Sequence, residues 1–414
     1  MKAADIPKIE AADTDAGRGN QRRRTLVASC GARILHDGYS DLLYVLLPIW
    51  RTAFGLSFIQ VGLLKTSYSG AMAGLQIPSS LLAERLGERQ MLVAGTLIAA
   101  TSFLLAGLSG SFVALAIFLV IGGAGASVQH PLGSALIART FEGKHQRAAL
   151  SAYNFSGDLG KMLLPAAVAG IIAVSDWNSA TLIVGALGLF VAAVIYLAIP
   201  GELAAGAHHH AALETPAMPA NQRAPARARQ GFYALSAIGI IDSATRTGFL
   251  TFLPFLLTAK GASVPQIGLA LALVFAGGAA GKFMCGLIAI RAGILRTVII
   301  TECVTAAGII ALLPLSIPLS LVLLPVIGVA LNGTSSVLYG TVAELVPAQK
   351  RSRAFGIFYT FTIGAGALSP TLYGAISDVL GVPRTLVLIA LIVLVTVPLT
   401  ALLRPVIVEL SRAQ

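Results

Sequence analysis

Residues 55–63, Gly-Leu-Ser-Phe-Ile-Gln-Val-Gly-Leu, return 206 positions later as Gly-Ala-Ser-Val-Pro-Gln-Ile-Gly-Leu at 261–269. The same offset carries Pro48 onto Pro254, and Arg85 and Gly87 onto Arg291 and Gly293. Further along, Lys144, Arg147, Ala148, Tyr153, Phe155 and Gly160 fall on Lys350, Arg353, Ala354, Tyr359, Phe361 and Gly366. One gap-free shift kept across most of two halves marks an internal duplication. The duplicated material is apolar: the 414-residue chain is 56% hydrophobic and 11% charged, against about 25% charged in a typical soluble domain. That composition excludes the cytosolic enzyme of two or three domains that length alone would suggest.

Apolar runs of about 20 residues, enough to cross a bilayer, lie at roughly 25–50, 59–82, 90–108, 111–138, 148–174 and 178–199. Six more lie at roughly 232–258, 265–288, 297–314, 318–341, 353–376 and 384–403. In hydrocarbon each backbone amide must be satisfied within its own segment, so such runs are helices. Pro48, Pro78, Pro131, Pro165, Pro254, Pro325 and Pro370 are read as kinks within them. The first run is too long and too polar for a cleaved signal peptide. The expected fold is an all-α membrane protein of twelve transmembrane helices: a six-helix bundle at 25–199, a second at 232–403, and polar segments at 1–24, 200–231 and 404–414. The 200–231 segment is rich in Ala, Pro and Arg, contains His208-His209-His210, and reads as a solvated linker.

The formal net charge of +11, from 29 Lys+Arg and 18 Asp+Glu, invites a nucleic-acid reading until the charges are located. Twenty-one of the bases, among them Arg22, Arg23, Arg24, Arg85, Arg89, Arg139, Arg147, Arg291 and Arg404, fall on the termini and one set of connections. The other set holds only Arg51, Lys260 and Arg384. Basic loops stay in the cytoplasm, so both termini and the central linker are expected there, in a cell (inner) membrane. No nucleic-acid partner is expected. Cys30, Cys285 and Cys303 lie far apart, with neither a disulfide framework nor a metal-ligand spacing.

Two six-helix halves of the same topology, related by an axis along the membrane normal, resemble the major facilitator transporters. Ser80-Leu-Leu-Ala-Glu84-Arg85-Leu-Gly87-Glu-Arg89 resembles that superfamily's G-x-x-x-D-R-x-G-x-R signature, with Ser for the first Gly and Glu for Asp. In the repeat, Gly286-Leu-Ile-Ala-Ile290-Arg291-Ala-Gly293 lacks the acid. The resemblance implies an inner gate built on Glu84, Arg85, Arg89 and Arg291. Within the superfamily, Gln129-His130-Pro131-Leu-Gly-Ser134 is similar to the F-H-P-x-x-S run of the fosmidomycin-resistance drug-efflux family. Asp37 is spaced from Pro48 like that family's first-helix Asp. Arg33 and His36 stand where the family more often has His and Asn, and Gly160 precedes Lys161 where the antiporter motif has Pro.

Ionised side chains are expensive in hydrocarbon, so each one inside a span is a candidate functional residue. At about 1.5 Å per residue, His36, Asp37, His130, Asp158 and Asp242 come out roughly 13–18 Å deep, near the midplane. Arg33, Asp37 and Asp41 step by four along one helix face; Asp158 with Lys161, and Asp242 with Arg246, are spaced to pair along their own helices. The 206-residue shift places His36 on Asp242 and Ser40 on Arg246. The expected roles are proton coupling for Asp37, Asp41, His36, Asp158 and Asp242, and substrate contact for Arg33, His130, Lys161 and Arg246. Lys65 is expected as an outer-gate partner, and Lys282 and Glu302 as packing or gate contacts.

These residues predict a secondary active transporter working by alternating access, a monomer that is not an enzyme. Its expected activity is proton-coupled efflux of a small polar or anionic drug or metabolite, with the proton as coupling ion and no other cofactor or metal. The chain has no GxxxxGK[ST] loop, so ATP does not drive it directly. Proton symport of an organic anion, efflux of a toxic metalloid or metal complex ligated by the cysteines, and a membrane sensor without flux are the alternatives.

Overall fold

The structure, a computed structural model, describes residues 7–200, 226–345 and 351–413. Lys2, Arg223, Lys350 and the His208–His210 run lie outside them. The first half comprises α1 (Pro7–Phe54), α2 (Phe58–Gly74), α3 (Gln76–Leu86), α4 (Glu88–Gly107), α5 (Phe112–Ala126), α6 (Gln129–Thr140), α7 (Gly143–Val174) and α8 (Trp177–Ala198). The second comprises α9 (Ala226–Ala259), α10 (Val264–Ala292), α11 (Ile294–Leu312), α12 (Ile317–Leu345), α13 (Arg351–Leu380), α14 (Val382–Leu394) and α15 (Thr396–Ala413). The expected all-helical class is found. Residues 7–24, expected as a polar tail, continue α1 as helix from Pro7.

Three expected spans are each two helices in line, and proline sets the breaks. A proline lacks the N–H that would bond the carbonyl four residues back, and its ring crowds that carbonyl. Pro78 lies four residues past Gly74, where α2 ends; Pro398 lies four past Leu394, where α14 ends; Pro131 follows the α5–α6 break at 127–128 in the same way. Among the described residues nine stretches are long and apolar enough to cross a membrane, against the twelve expected. The three that fall short have physical reasons. Arg33, Asp37 and Asp41 load α1 with charge, Asp242 and Arg246 dilute α9, and the break at Leu75 leaves α2 only 17 residues long.

The duplication is visible in backbone geometry. Ser57 and Ser263 take nearly the same conformation, φ/ψ −71°/165° and −71°/160°. Each opens its helix with a capping box, the Gln60 or Gln266 side chain accepting from the serine N–H at 2.9 Å. The preceding turns need Gly55 and Gly261, whose φ of +63° and +87° side-chain-bearing residues rarely adopt.

The halves meet along α2–α13 and α7–α10. The α2–α13 seam is tightest near the 55–57 turn, on the face opposite the arginine-rich connections. A Cβ on Gly62 would lie 2.2 Å from the Pro370 carbonyl oxygen, so only glycine allows the two backbones to touch. Thr66 Oγ1 donates to the Ala367 carbonyl at 2.7 Å, and Thr371 Oγ1 donates to Thr66 Oγ1 at 2.8 Å. At the end of the seam Asp378 accepts from the Phe58 and Ile59 N–H groups at 2.7 and 2.9 Å. Nearby, Trp50 is fully buried and meets Trp177 edge-on at 6.2 Å, tying α1 to α8.

Candidate functional site

A cavity of about 510 Å³ opens between the halves, within the size range of small-molecule sites. Helices α1, α2, α3, α6 and α7 contribute from one side, and α9, α10, α12 and α13 from the other. Among the described residues, its wall carries four basic side chains, Arg33, Lys65, Lys161 and Arg246, together with His130, against a single acid, Asp41. Tyr44, Phe275 and Tyr359 supply aromatic surface; Ser134, Asn154 and Asn332 supply hydrogen-bonding groups.

Behind it sits Asp37, only 4% exposed. Its Oδ2 lies 3.3 Å from Arg33 Nε, one turn earlier on α1, and 3.9 Å from Lys161 Nζ on α7. Its Oδ1 lies 3.6 Å from His130 Nε2 on α6. Arg33 Nη1 in turn contacts His130 Nδ1, which must offer its lone pair, and the guanidinium stands 5.1 Å from the Tyr153 ring centre. The Gly157 backbone presses on this cluster, where a Cβ would come 2.4 Å from Asp37 Oδ2. Arg33, Asp37, His130 and Lys161, chosen separately from the sequence, thus form one contact group. Asp41, one turn on, is also buried and lies within electrostatic range of Lys161, Lys65 and Arg246.

Other expectations need correction. Lys161 does not take Asp158 as its partner. Its long chain reaches across to Asp37, while Asp158 faces the other half and accepts from Lys282 Nζ at 2.6 and 2.9 Å. Lys282 is therefore an inter-half tie between α7 and α10. Lys65 is a wall residue of the cavity: it is 1% exposed, donates to the Ser40 carbonyl at 2.6 Å and stands 4.1 Å from the Tyr44 ring centre. His36, the neighbour of Asp37 in sequence, points to α4 and meets Thr96 Oγ1 at 3.0 Å. A step of one residue turns a helix by about 100°, which separates the two side chains.

Asp242 and Arg246 are joined through Ser335 of α12. The Ser335 hydroxyl receives from Arg246 Nη1 at 3.1 Å and donates to Asp242 Oδ2 at 3.3 Å. At the signature loop, Glu84, Arg85 and Arg291 are exposed. The buried acid there is Glu88, paired with Arg139 at the end of α6; Arg89 donates to the Tyr196 carbonyl at 2.5 Å and lies over its ring. Glu88 was hidden in the sequence because it sits at an unspecified position of the signature and begins a new helix.

The sequence profile of the Major Facilitator Superfamily matches residues 30–239 and 235–414. The chain belongs to the Major Facilitator Superfamily. It is accordingly a multi-pass membrane transporter and not an enzyme. Over 375 residues it is 26% identical to the fosmidomycin resistance protein of Escherichia coli (strain K12), covering 88% of this chain and 89% of that one. A probable L-galactonate transporter of E. coli is 26% identical over 147 residues, 36% of this chain and 32% of that protein. The probable sulfoacetate transporter SauU of Cupriavidus necator is 25% identical over 145 residues, 35% of this chain and 34% of that one. Among solved structures, a bacterial homolog of the human lysosomal transporter Spinster, inward-facing and occupied, superposes with a TM-score of 0.78 at 18% identity. That match covers 93% of this chain and 97% of the other, and the same homolog unoccupied gives 0.75 at 17% identity, covering 92% and 96%. In this facilitator the charged cavity therefore lies between the two halves of a transporter fold.

Proposed function

We propose that this facilitator carries small organic anions across the membrane by alternating access, coupled to protons. The observation that supports it is the cavity wall, with four bases to one acid. An anion entering there competes with Asp37 and Asp41 for Arg33, Lys161 and Arg246, and an acid that loses its base gains affinity for a proton. Proton and anion are then bound together, which is the logic of symport. A ligand shifts a conformational equilibrium only by its differential affinity, and neutralising this cluster supplies that difference. Two relatives named above bear the names of anions, L-galactonate and sulfoacetate, in keeping with this chemistry.

Efflux by proton antiport is the second reading. It draws on the long match to a fosmidomycin resistance protein and requires the proton to displace the substrate. With the arginine-rich face in the cytoplasm of an inner-membrane monomer, the closed α2–α13 seam lies outside and the cavity faces inward.

Counterflow in proteoliposomes with labelled sulfoacetate and L-galactonate, beside a matched organic cation, tests the substrate class. Anion exchange that weakens at least tenfold in R246Q and K65M is expected; preferential exchange of the cation would sink the proposal. Acidification should tighten anion binding under symport and weaken it under antiport. Asp37→Asn should abolish pH-driven accumulation while sparing counterflow, and intact accumulation removes Asp37 from the coupling.

A further inference from the structure

The 206-residue shift that places His36 on Asp242 also places Thr96 on Glu302. In the first half His36 Nε2 meets Thr96 Oγ1 at 3.0 Å, linking α1 to α4. In the second half the corresponding positions are Asp242 of α9 and Glu302 of α11, and the two carboxylates lie within electrostatic range of each other. Helix α12 packs against both α9 and α11 and presents two adjacent hydroxyls between them. Thr334 faces Glu302 and donates to Thr301 Oγ1 at 2.7 Å; Ser335 donates to Asp242 Oδ2 at 3.3 Å.

Both acids are buried, Glu302 to 1% and Asp242 to 4% exposure, and among the described residues Glu302 Oε1 has no hydrogen-bond partner. Among the described residues, the charged base facing them is Arg246 of α9. Among the described residues, helices α10, α14 and α15, also packed on α11, bring no charged side chain to Glu302. Two ionised acids with one base would leave a buried negative charge, which a low-dielectric interior strongly disfavours. One proton makes the group neutral. The first half differs: Asp37 and Asp41 face Arg33, Lys161 and Lys65, so its acids are balanced without a proton.

We propose that Asp242 and Glu302 share one exchangeable proton, forming a proton-binding site in the second half of the transporter. It rests on the proton-coupled reading for its use in transport, but not for its existence. Arg246 joins this site to the cavity, since it lines the wall and reaches Asp242 through Ser335. When an anion engages Arg246, the pair loses its balancing charge and a second carboxyl oxygen takes a proton from water in the cavity. When the anion leaves, the guanidinium again balances Asp242 and that second proton returns to water, while the first stays on the pair. No other bond is made or broken. As in other coupled carboxyl pairs, the proton belongs to the pair rather than to either residue.

The test is infrared difference spectroscopy of the full chain in liposomes, stepped from mildly acidic to mildly alkaline buffer without substrate. A protonated-carboxyl C=O band is expected in the wild type, lost in E302Q, with one proton fewer released per protein. An identical band and identical release in wild type and E302Q would overturn the proposal. If E302Q does not fold, E302D decides: a shifted band supports the shared proton, and an unmoved band refutes it. Because the readout needs no transport, a wild type lacking pH-driven flux would defeat the proton-coupled reading while leaving this site to be judged by its band.

Discussion

Asp378 ties α13 to the start of α2 across the seam between the halves, a latch that should open when the halves part. It lies in the last turn of α13, where a carboxylate is disfavoured by its own helix dipole, yet it faces the N-terminus of α2, where a carboxylate is favoured. Its two oxygens receive the Phe58 and Ile59 N–H groups, while Ser57 Oγ receives that of Gln60. With the Ser57 N–H bonded to Gln60 Oε1, all four free N–H groups at this helix start are satisfied, two of them by the opposite half. A hydrogen bond to a charged group contributes about 1.5–3 kcal/mol, and proximity to a helix start about 0.3–1 kcal/mol. Asp378 is exposed, so solvent screening discounts the total to about 2 kcal/mol. At 1.4 kcal/mol per tenfold, Asp378→Ala should raise the outward-open population roughly 30-fold. Asp378→Asn, which keeps one neutral acceptor, should give roughly half that free-energy change. The assay is maleimide labelling from the outer face of a cysteine at position 40, a cavity-lining site, with Cys30, Cys285 and Cys303 replaced by Ala. Since labelling follows the open fraction, its rate should rise in proportion. A rate within twofold of the parent, in a variant that still performs counterflow, would refute the latch.

Three further outcomes follow from the packing. Gly62→Ala should separate α2 from α13, because the new methyl would meet the Pro370 carbonyl; about 1–3 kcal/mol lost from the closed state should appear as faster outer-face labelling at the same site. Glu88→Gln leaves Arg139 without its ionised partner in a largely buried site, so a loss of about 2–3 kcal/mol is expected in thermal unfolding, with a smaller loss in the double variant E88Q/R139Q. Asp176 caps α8, and the Ser179 N–H, 2.6 Å away, holds its carboxyl below the usual range. The folded form is thus favoured by ionised Asp176 above the ordinary aspartate pKa, and the contribution fades as pH falls through the depressed value. Wild type and D176N should accordingly differ in thermal stability at neutral pH and converge in acid.

The sequence alone determined the helical membrane fold and its duplication, because length, apolarity and the offset of 206 are local or periodic properties that survive without coordinates. It also located the charges at depth and named Arg33, Asp37, His130 and Lys161 as candidates. Which charges touch was beyond its reach. Spacing favoured Asp158 with Lys161, but the angle at which α7 packs sends one side chain to α1 and the other to α10. The same holds for Lys65, whose depth suggested the outer gate and whose direction places it on the cavity wall. Glu302 was legible only in part: the shift that pairs His36 with Asp242 also pairs Thr96 with Glu302, but the His36–Thr96 contact that gives this meaning is a tertiary one. Asp378 and the Phe58 N–H are 320 residues apart in the chain. Periodicity specifies which residues share a helix face; only the packing of helices decides what that face meets, and for buried charges the partner, rather than the depth, sets the protonation and hence the function.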